Sequence, residues 1–247
     1  MIKLCDSALC IPTSTDSWEQ TFVLSRLSAY GTNAVFAPFY TDGRGGVASV
    51  LDGYCILTGD FADMDEWAIF LSMHQDIHTV SATHSVANRL GAVLHKTPLY
   101  REVMQWKTLQ TIATESVKTP TPREIYPVLS TVFKDTLQPF DGWYVDVSHR
   151  LRHEICHVAG VYDADTLVST AMTVAESENA VVIGSVATLP NYRKRGYAAQ
   201  CIYALIHNCK PKTIFIQPKN DAAKGLYEKL GFEICGKIGI LEMRDCK

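Results

Sequence analysis

Hydrophobic positions along this chain switch repeatedly between a two-residue and a roughly 3.6-residue spacing, so strands and helices are expected to alternate. In the N-terminal half, residues 33–41 are apolar and aromatic and lead into the turn-forming run Asp42-Gly-Arg-Gly-Gly46. Residues 47–61 read as one or two strands interrupted at Asp52-Gly53. Glycine supplies the positive φ of a tight turn, so a hairpin is the natural reading. Residues 63–74 place Trp67, Phe70 and Leu71 at helical spacing, with Asp63 or Asp65 near the start as cap or dipole partner. Residues 78–83 are strand-like, 86–94 helical and 99–106 strand-like again.

Lys118-Thr-Pro-Thr-Pro122 interrupts this pattern. Its two prolines stop helix and central strand alike, and the surrounding Thr and Lys suit a solvated linker. The expected organisation is an N-terminal α/β domain over 1–118 and a second domain over 119–247. In the second, 125–134 reads as helix, 140–150 as an aromatic-rich loop or short helix, and 155–162 and 167–175 as strands joined by Asp163-Ala-Asp165. Residues 180–188 form a Val- and Ile-rich strand, followed by helix 196–207, strand 213–217, helix 222–230 and a last strand over 237–243. Strands and helices mixed in this way predict an α/β (α+β) fold with a central sheet.

Composition narrows the class. A chain of 247 residues with 47% hydrophobic and 20% charged residues is globular, which excludes disorder. A net charge of −3 gives no field able to hold nucleic acid globally. No run reaches the ~18 apolar residues of a membrane span, and the apolar stretch near the N-terminus is too interrupted for a secretory leader. Eight cysteines lack any CxxC pair, the nearest being Cys5/Cys10 and Cys201/Cys209. The expectation is a cytoplasmic protein with reduced thiols that mostly fill core space.

The sharpest chemical signal is Val186-Ala-Thr-Leu-Pro-Asn-Tyr-Arg-Lys-Arg-Gly-Tyr-Ala198. A buried strand ends, Pro190 breaks it, and a basic turn containing Gly196 opens a helix. That order aims backbone N–H groups and a helix N-terminus at one point, with Arg193, Lys194 and Arg195 adding positive charge. Gly196 leaves room for a ligand to approach the backbone. Such a site suits a pyrophosphate. The run also resembles the Q/R-x-x-G-x-G/A signature of the GCN5-related N-acetyltransferases (the GNAT superfamily), matched by Arg193, Gly196 and Ala198. A second block, Asn220-Asp-Ala-Ala-Lys-Gly-Leu-Tyr-Glu-Lys-Leu-Gly-Phe232, resembles the family's later motif at the expected distance. The resemblance covers roughly 120–247 and fits neither the P-loop nor the dinucleotide fingerprint.

That resemblance implies a mixed central sheet flanked by helices, acetyl-CoA as co-substrate without a metal, and transfer to an amine by direct attack in a ternary complex. The acceptor class it implies is a small molecule or peptide, with neither nucleic acid nor membrane as partner. The backbone of Val186, Ala187 and Thr188 would pair with the pantetheine arm, and Arg193, Lys194, Arg195, Gly196, Tyr197 and Ala198 would wrap the pyrophosphate. Asn220 would contact the pantetheine, and Tyr227 would face the sulfur as general acid, its hydroxyl projecting from the edge of the helix face it shares with Leu226 and Leu230. Many relatives carry a general-base Glu on the strand before the phosphate loop; here Gly184 and Ser185 stand in that region. Glu176, Glu178, His153 and His157 are the candidates that could act through water, and the base stays unassigned. Trp143, Tyr144, Asp141 and Asp146 precede the sheet where the family places its acceptor lip.

The order of elements in the N-terminal half resembles the later part of a GNAT domain and suggests a degenerate copy. Asp60-Phe-Ala-Asp63 stands where a phosphate loop would be, so one CoA per chain is expected. Two other readings compete. One is a CoA-binding module without catalysis. The other takes His153-Glu-Ile-Cys-His-Val-Ala-Gly160 as HExxHxxG, a zinc-protease helix. That requires a helix, whereas residues 155–162 read as strand, where i and i+4 side chains lie about 13 Å apart.

Overall fold

In the computed structural model, residues 1–12, 17–107, 116–209 and 212–244 are described. The chain divides into two compact units, 1–103 with 234–247, and 104–233.

The first unit opens with β1 (Lys3–Leu4) and α1 (Trp18–Tyr30), followed by β2 (Phe39–Thr41), β3 (Val47–Leu51) and β4 (Tyr54–Thr58). It continues through α2 (Met64–Met73), β5 (Thr79–Thr83), α3 (His84–Leu94) and the start of β6 (Leu99–Trp106). Strands β1 to β4 pair antiparallel in order, whereas β4 and β5 run parallel. The hairpin expected at Asp52-Gly53 forms, with both residues at positive φ. Trp67, Leu71, Leu57, Val80 and Leu90 fill one face of this sheet beneath α2 and α3, and Val23, Phe39 and Ile56 fill the other beneath α1.

Helix α1 has no signature in the hydrophobic pattern. Its buried residues are Trp18, Glu19, Gln20, Thr21, Val23 and Ser25, so the inward face is mostly polar. Gln20 accepts from the Thr58 hydroxyl at 2.8 Å and Arg26 donates to the Ser49 carbonyl at 2.9 Å, which satisfies groups an apolar stripe would not contain.

The second unit contains β7 (Val117–Lys118), α4 (Pro122–Phe133), α5 (Phe140–Arg152), β8 (Val158–Asp163), β9 (Thr166–Glu176) and β10 (Ala180–Thr188). Then come α6 (Tyr197–Cys209), β11 (Thr213–Ile216), α7 (Asp221–Lys229) and β12 (Phe232–Glu242). Strands β7 to β10 pair antiparallel, β10 and β11 run parallel, and β11 pairs antiparallel with Met104 and Gln105 of β6. Residues 234–242 of β12 belong instead to the first unit, antiparallel to β5. Each unit is thus an antiparallel meander, one parallel pair, and a closing antiparallel strand. The mixed sheet flanked by helices expected from the sequence is present.

The division expected at 118/119 falls inside the second unit. Val117 and Lys118 pair with β8, and Thr121 and Glu124 form a capping box that starts α4 with Pro122 in its first turn. The prolines there open a helix. The segment that reads from sequence as loop or short helix forms the full helix α5, thirteen residues from Phe140 to Arg152. Seven cysteines in the described residues are free thiols, with Cys5, Cys55, Cys156, Cys201 and Cys209 buried; Cys246 lies outside the described residues.

Candidate functional site

The parallel pair of the second unit comes apart in the middle of β10. Its rungs run from Ala180↔Thr213 to Ile183↔Ile216 and end there, although β10 continues to Thr188. Against β9, the register moves from Gly184↔Met172 to Ala187↔Thr170, so β10 carries one extra residue in a β-bulge. Ser185 has φ +49°, the left-handed conformation that turns the strand. Gly184 has a packing reason: a Cβ there would lie 2.8 Å from a methyl carbon of Val174. Of the two positions where a general base was sought, Gly184 is thus held by packing and Ser185 marks the turn of the strand. From Gly184 to Thr188 the β11-facing edge of β10 has no rung.

Val186 packs toward the core beneath α6 and α7, and the buried Ala187 toward that beneath α4 and α5. The Thr188 hydroxyl lies 2.8 Å from that of Ser169, and the Thr188 carbonyl accepts from Arg193 Nε at 3.2 Å. These contacts fix the end of β10 just where the loop begins. Pro190–Tyr192 then makes a single 3₁₀ turn.

Lys194 and Gly196 both take positive φ, +62° and +81°. No atom within 4 Å would meet a Cβ on Gly196, so its conformation, and the open approach above it, explain the glycine. The first bond of α6 runs from Gln200 N–H to the Gly196 carbonyl, which leaves the preceding N–H groups of the first turn without an intrahelical acceptor. Arg193, Lys194 and Arg195 are exposed around them. Arg195 is steadied by a bond to the Asn191 carbonyl at 3.2 Å and by stacking 5.2 Å from the Tyr192 ring centre. Unsatisfied N–H groups, a helix dipole and three cations at one open loop can hold a diphosphate.

Asn220 and Tyr227 sit on the next helix. The Asn220 side chain accepts from Ala223 N–H at 2.9 Å and caps α7. Tyr227 is 5% exposed, among the residues of the core beneath α6 and α7, 6.1 Å from the Phe232 ring. The sequence puts its hydroxyl at the edge of a buried face, and the residue lies deeper. Burial pushes the phenol up to about 12.

The candidate bases are engaged elsewhere. Glu176 is 8% exposed and bonds His157 Nδ1 at 3.0 Å and Lys212 Nζ at 2.7 Å. Burial pushes its carboxyl up, but those two partners outweigh this and hold it below the ordinary value. The bond to Glu176 in turn raises His157 above the ordinary imidazole value. Glu176 pairs with Val181 at the start of β10, roughly 10 Å along the strand from Gly184. Glu178 is exposed in the turn before β10, and His153 caps the end of α5 with its ring 4.4 Å from that of His149. Glu176 and His157 are thus tied to each other, and Glu178 lies before the start of β10.

The same contacts dispose of the protease reading. Glu154 has φ +58°; its N–H bonds the Leu151 carbonyl, and Ile155 N–H bonds the Arg150 carbonyl. This is a Schellman termination with Glu in the left-handed position usually filled by glycine. His153 ends one element and His157 precedes the next, so the pair shares no helix face, and the strand expected from residue 155 begins at Val158. Among the described residues no three His, Cys, Asp or Glu side chains cluster as metal ligands.

Of the acceptor-lip candidates, Trp143 is a core residue beneath α4 and α5. Asp146 is paired with Arg150 at 2.8 Å, and Arg150 also reaches the Val174 carbonyl at 3.2 Å. Asp141 is exposed, and Tyr144 is partly exposed with Arg123 5.4 Å from its ring centre.

The first unit repeats the opening. Its parallel rungs end at Ile56↔Ser81 while β4 continues to Thr58. The following loop differs: Asp63 accepts from Glu66 N–H at 3.0 Å, and Glu66 holds the chain's amino group at 3.0 Å.

Residues 120–232 match the acetyltransferase (GNAT) family. No curated protein matches the sequence. Among solved structures, a GNAT-family acetyltransferase from Colwellia psychrerythraea is similar over 99% of this chain and 100% of its own, at 12% identity and a TM-score of 0.62. A GCN5-related N-acetyltransferase from Sphaerobacter thermophilus is similar over 92% of each chain, at 17% identity and a TM-score of 0.59. A tandem GNAT protein from the clavulanic acid biosynthesis pathway is similar over the whole of both chains, at 11% identity and a TM-score of 0.59. Likeness at such identities concerns the fold, and it extends over both units. Among the described residues no helix is long and apolar enough to cross a membrane.

Proposed function

From the membership of residues 120–232 in the GNAT family, we propose that the second unit transfers an acetyl group from acetyl-CoA to an amine. The observation that carries this reading is the continuity of the unpaired β10 edge with the basic, N–H-rich start of α6. An extended arm bearing amides could pair along Val186–Thr188 while its diphosphate rests on Lys194–Ala198. Acetyl-CoA supplies an activated thioester, and the chain supplies alignment, which can account for much of the rate. In the reaction a neutral amine nitrogen bonds to the acyl carbon, the carbon–sulfur bond breaks, nitrogen loses a proton and sulfur gains one.

Tyr227 is the proposed donor toward sulfur. At about 12 its phenol stays protonated throughout the working range, as a donor must. A thiol near ~8.5 is more acidic than such a phenol, so Tyr227 would act by hydrogen bonding to developing charge rather than by early proton transfer. Glu176, His157, Glu178 and His153 are engaged or placed elsewhere, so none of these carboxylates and imidazoles stands ready to deprotonate the acceptor. An alkyl ammonium near ~10.4 is neutral in roughly one molecule in a few thousand at pH 7. Rate should therefore rise about tenfold per pH unit from 7 to 9, because each unit multiplies the neutral fraction.

The test is a screen of small amines, polyamines and peptides for CoA release from acetyl-CoA, with pH profiles on any acceptor found. A plateau with an apparent pKa near ~6–7 would instead reveal a base in the protein. The pairing of Glu176 and His157 with each other favours one second reading, a CoA-binding unit without turnover. Tight CoA binding with no acceptor in the whole panel would select it. The reading further takes one CoA per chain, bound by the second unit, and a cytoplasmic setting.

A further inference from the structure

One buried polar group at the opening of β10 and β11 has no role in the fold or in the proton movements of the reaction. Gln217 follows β11 directly, one residue beyond Ile216, whose rung with Ile183 is the last between the parallel strands. Its side-chain Nε2 is shut off from solvent and has no hydrogen-bond partner among the described residues. Buried donors are paired in more than about nine cases in ten, because an unpaired one forfeits its bonds to water for nothing in return. Leucine, of similar size, would avoid that cost. Glutamine here makes physical sense if an acceptor oxygen arrives from outside the chain.

The register identifies which oxygen. Continuing past Ile183↔Ile216, Gln217 lies at the level of Gly184, the closed end of the opening. The anion site around Lys194 and Gly196 lies past Thr188, at the other end of the unpaired edge, about 13 Å along the strand from Gly184. A ligand anchored there by its phosphates and lying along β10 brings its acyl end to Gly184. On the β10 side the available groups belong to the backbone. On the β11 side the first residue beyond the last rung is Gln217.

We propose that Gln217 donates its buried side-chain N–H to the carbonyl oxygen of the acyl group, as a β11-side partner to the backbone of β10. The inference rests on the acyl-transfer reading. During attack the electron pair of the C=O bond moves onto that oxygen, and it returns when the carbon–sulfur bond breaks. The Gln217 proton stays on nitrogen throughout, so the residue stabilises charge without exchanging a proton.

The experiment is calorimetry of the full chain with acetyl-CoA and with CoA, on wild type, Gln217→Leu and the unbranched Gln217→Met, alongside ligand-free melting curves. A neutral hydrogen bond predicts that wild type binds acetyl-CoA roughly 3- to 10-fold more tightly than CoA. In both variants that preference should fall several-fold while CoA affinity stays within about twofold, since only the Gln217 bond to the acyl oxygen is lost. Ligand-free Tm should hold or rise by a few degrees, because the substitution removes an unpaired buried donor.

A preference that survives undiminished in the variants overturns the proposal. So does an equal loss of both affinities, which would place the contact on the arm. A Tm that falls in both variants overturns it too, by showing that the amide has a structural partner. If wild type binds CoA and acetyl-CoA equally, the proposal fails while the CoA-site reading stands. If wild type binds neither, that reading fails and takes the proposal with it.

Discussion

After β4 in the first unit, the chain passes Gly59, Asp60 and Asp63 into α2; after β10 in the second, it passes Arg193, Lys194 and Gly196 into α6. Both loops follow a strand whose parallel rungs stop before the strand does, and both lead into a helix N-terminus. In the first unit the N-terminus is filled from within. The Asp63 carboxylate takes Glu66 N–H, and Asp65 and Glu66 occupy the first turn. Gly59 is closed down as well, since a Cβ there would lie 2.0 Å from the Gly45 carbonyl oxygen. In the second unit Gly196, directly before α6, faces open space and the neighbouring charges are positive. Like charges at ~4 Å repel by about 1 kcal/mol in water and about 4 near a protein surface. Two or three carboxylates would therefore suffice to exclude a diphosphate. Both units leave part of a strand edge without rungs, and the loop side chains decide whether the helix N-terminus that follows is filled from within or left open.

The sharpest way to break that comparison is to place the same residue at the two glycines. Gly196→Val forces a β-branched residue to φ +81° beside the anion site, and should weaken CoA binding about 100-fold with a modest fall in Tm. Gly59→Val should lower Tm by many degrees, because the side chain meets backbone, while the folded fraction keeps wild-type CoA affinity. Titration of wild type should give one CoA per chain. A stoichiometry of two, or loss of affinity in Gly59→Val, would remove the distinction between the units.

Tyr227→Phe comes next. The ring and its packing near Phe232 survive, so CoA affinity and Tm should hold within error while turnover falls about 100-fold, the low end of general-acid effects. Turnover within about threefold of wild type would make Tyr227 a packing residue.

The smallest effects come from a pair of charge deletions read both ways. Arg193→Ala should weaken CoA about tenfold, less at high salt, with little change in Tm, because its guanidinium is exposed. Asp63→Ala removes a helix cap, costs about 1 kcal/mol and lowers Tm by a few degrees, with CoA affinity untouched. Exchanged outcomes, affinity lost with Asp63 or stability lost with Arg193, would show that the two loops had been assigned the wrong roles.

Much of this architecture is legible in the chain. The β-branched run after Asp165 and the Val- and Ile-rich run over 180–188 become β9 and β10, and Pro190 with the Arg193–Gly196 turn marks where β10 gives way to α6. Those features act over a few residues, through sterics, periodicity and the missing N–H of proline, and neighbouring sequence is enough to express them. Helix α1 escapes because its inward face includes Glu19, Gln20, Thr21 and Ser25, and their partners lie partly far off, as Thr58 does for Gln20, and partly one turn back, as the Ser17 carbonyl does for Thr21.

Other decisions need the tertiary structure because they depend on pairing between remote segments. The end of the chain closes the first unit and Met104–Gln105 close the second, a choice no linker composition signals. His153 and His157 spell a metal motif, yet a left-handed Glu154 parts them and Glu176, nineteen residues from His157, takes up the second imidazole. Gln217 looks like an ordinary polar residue after a strand until the last rung at Ile183↔Ile216 places it at the opening, its Nε2 shut off from solvent and without a partner among the described residues. Sequence by itself determined the local conformations and the sign of charge in each loop. Only the fold decided which polar groups find partners within the chain and which remain for a ligand, because hydrogen bonding and burial are settled by contacts between residues far apart in sequence.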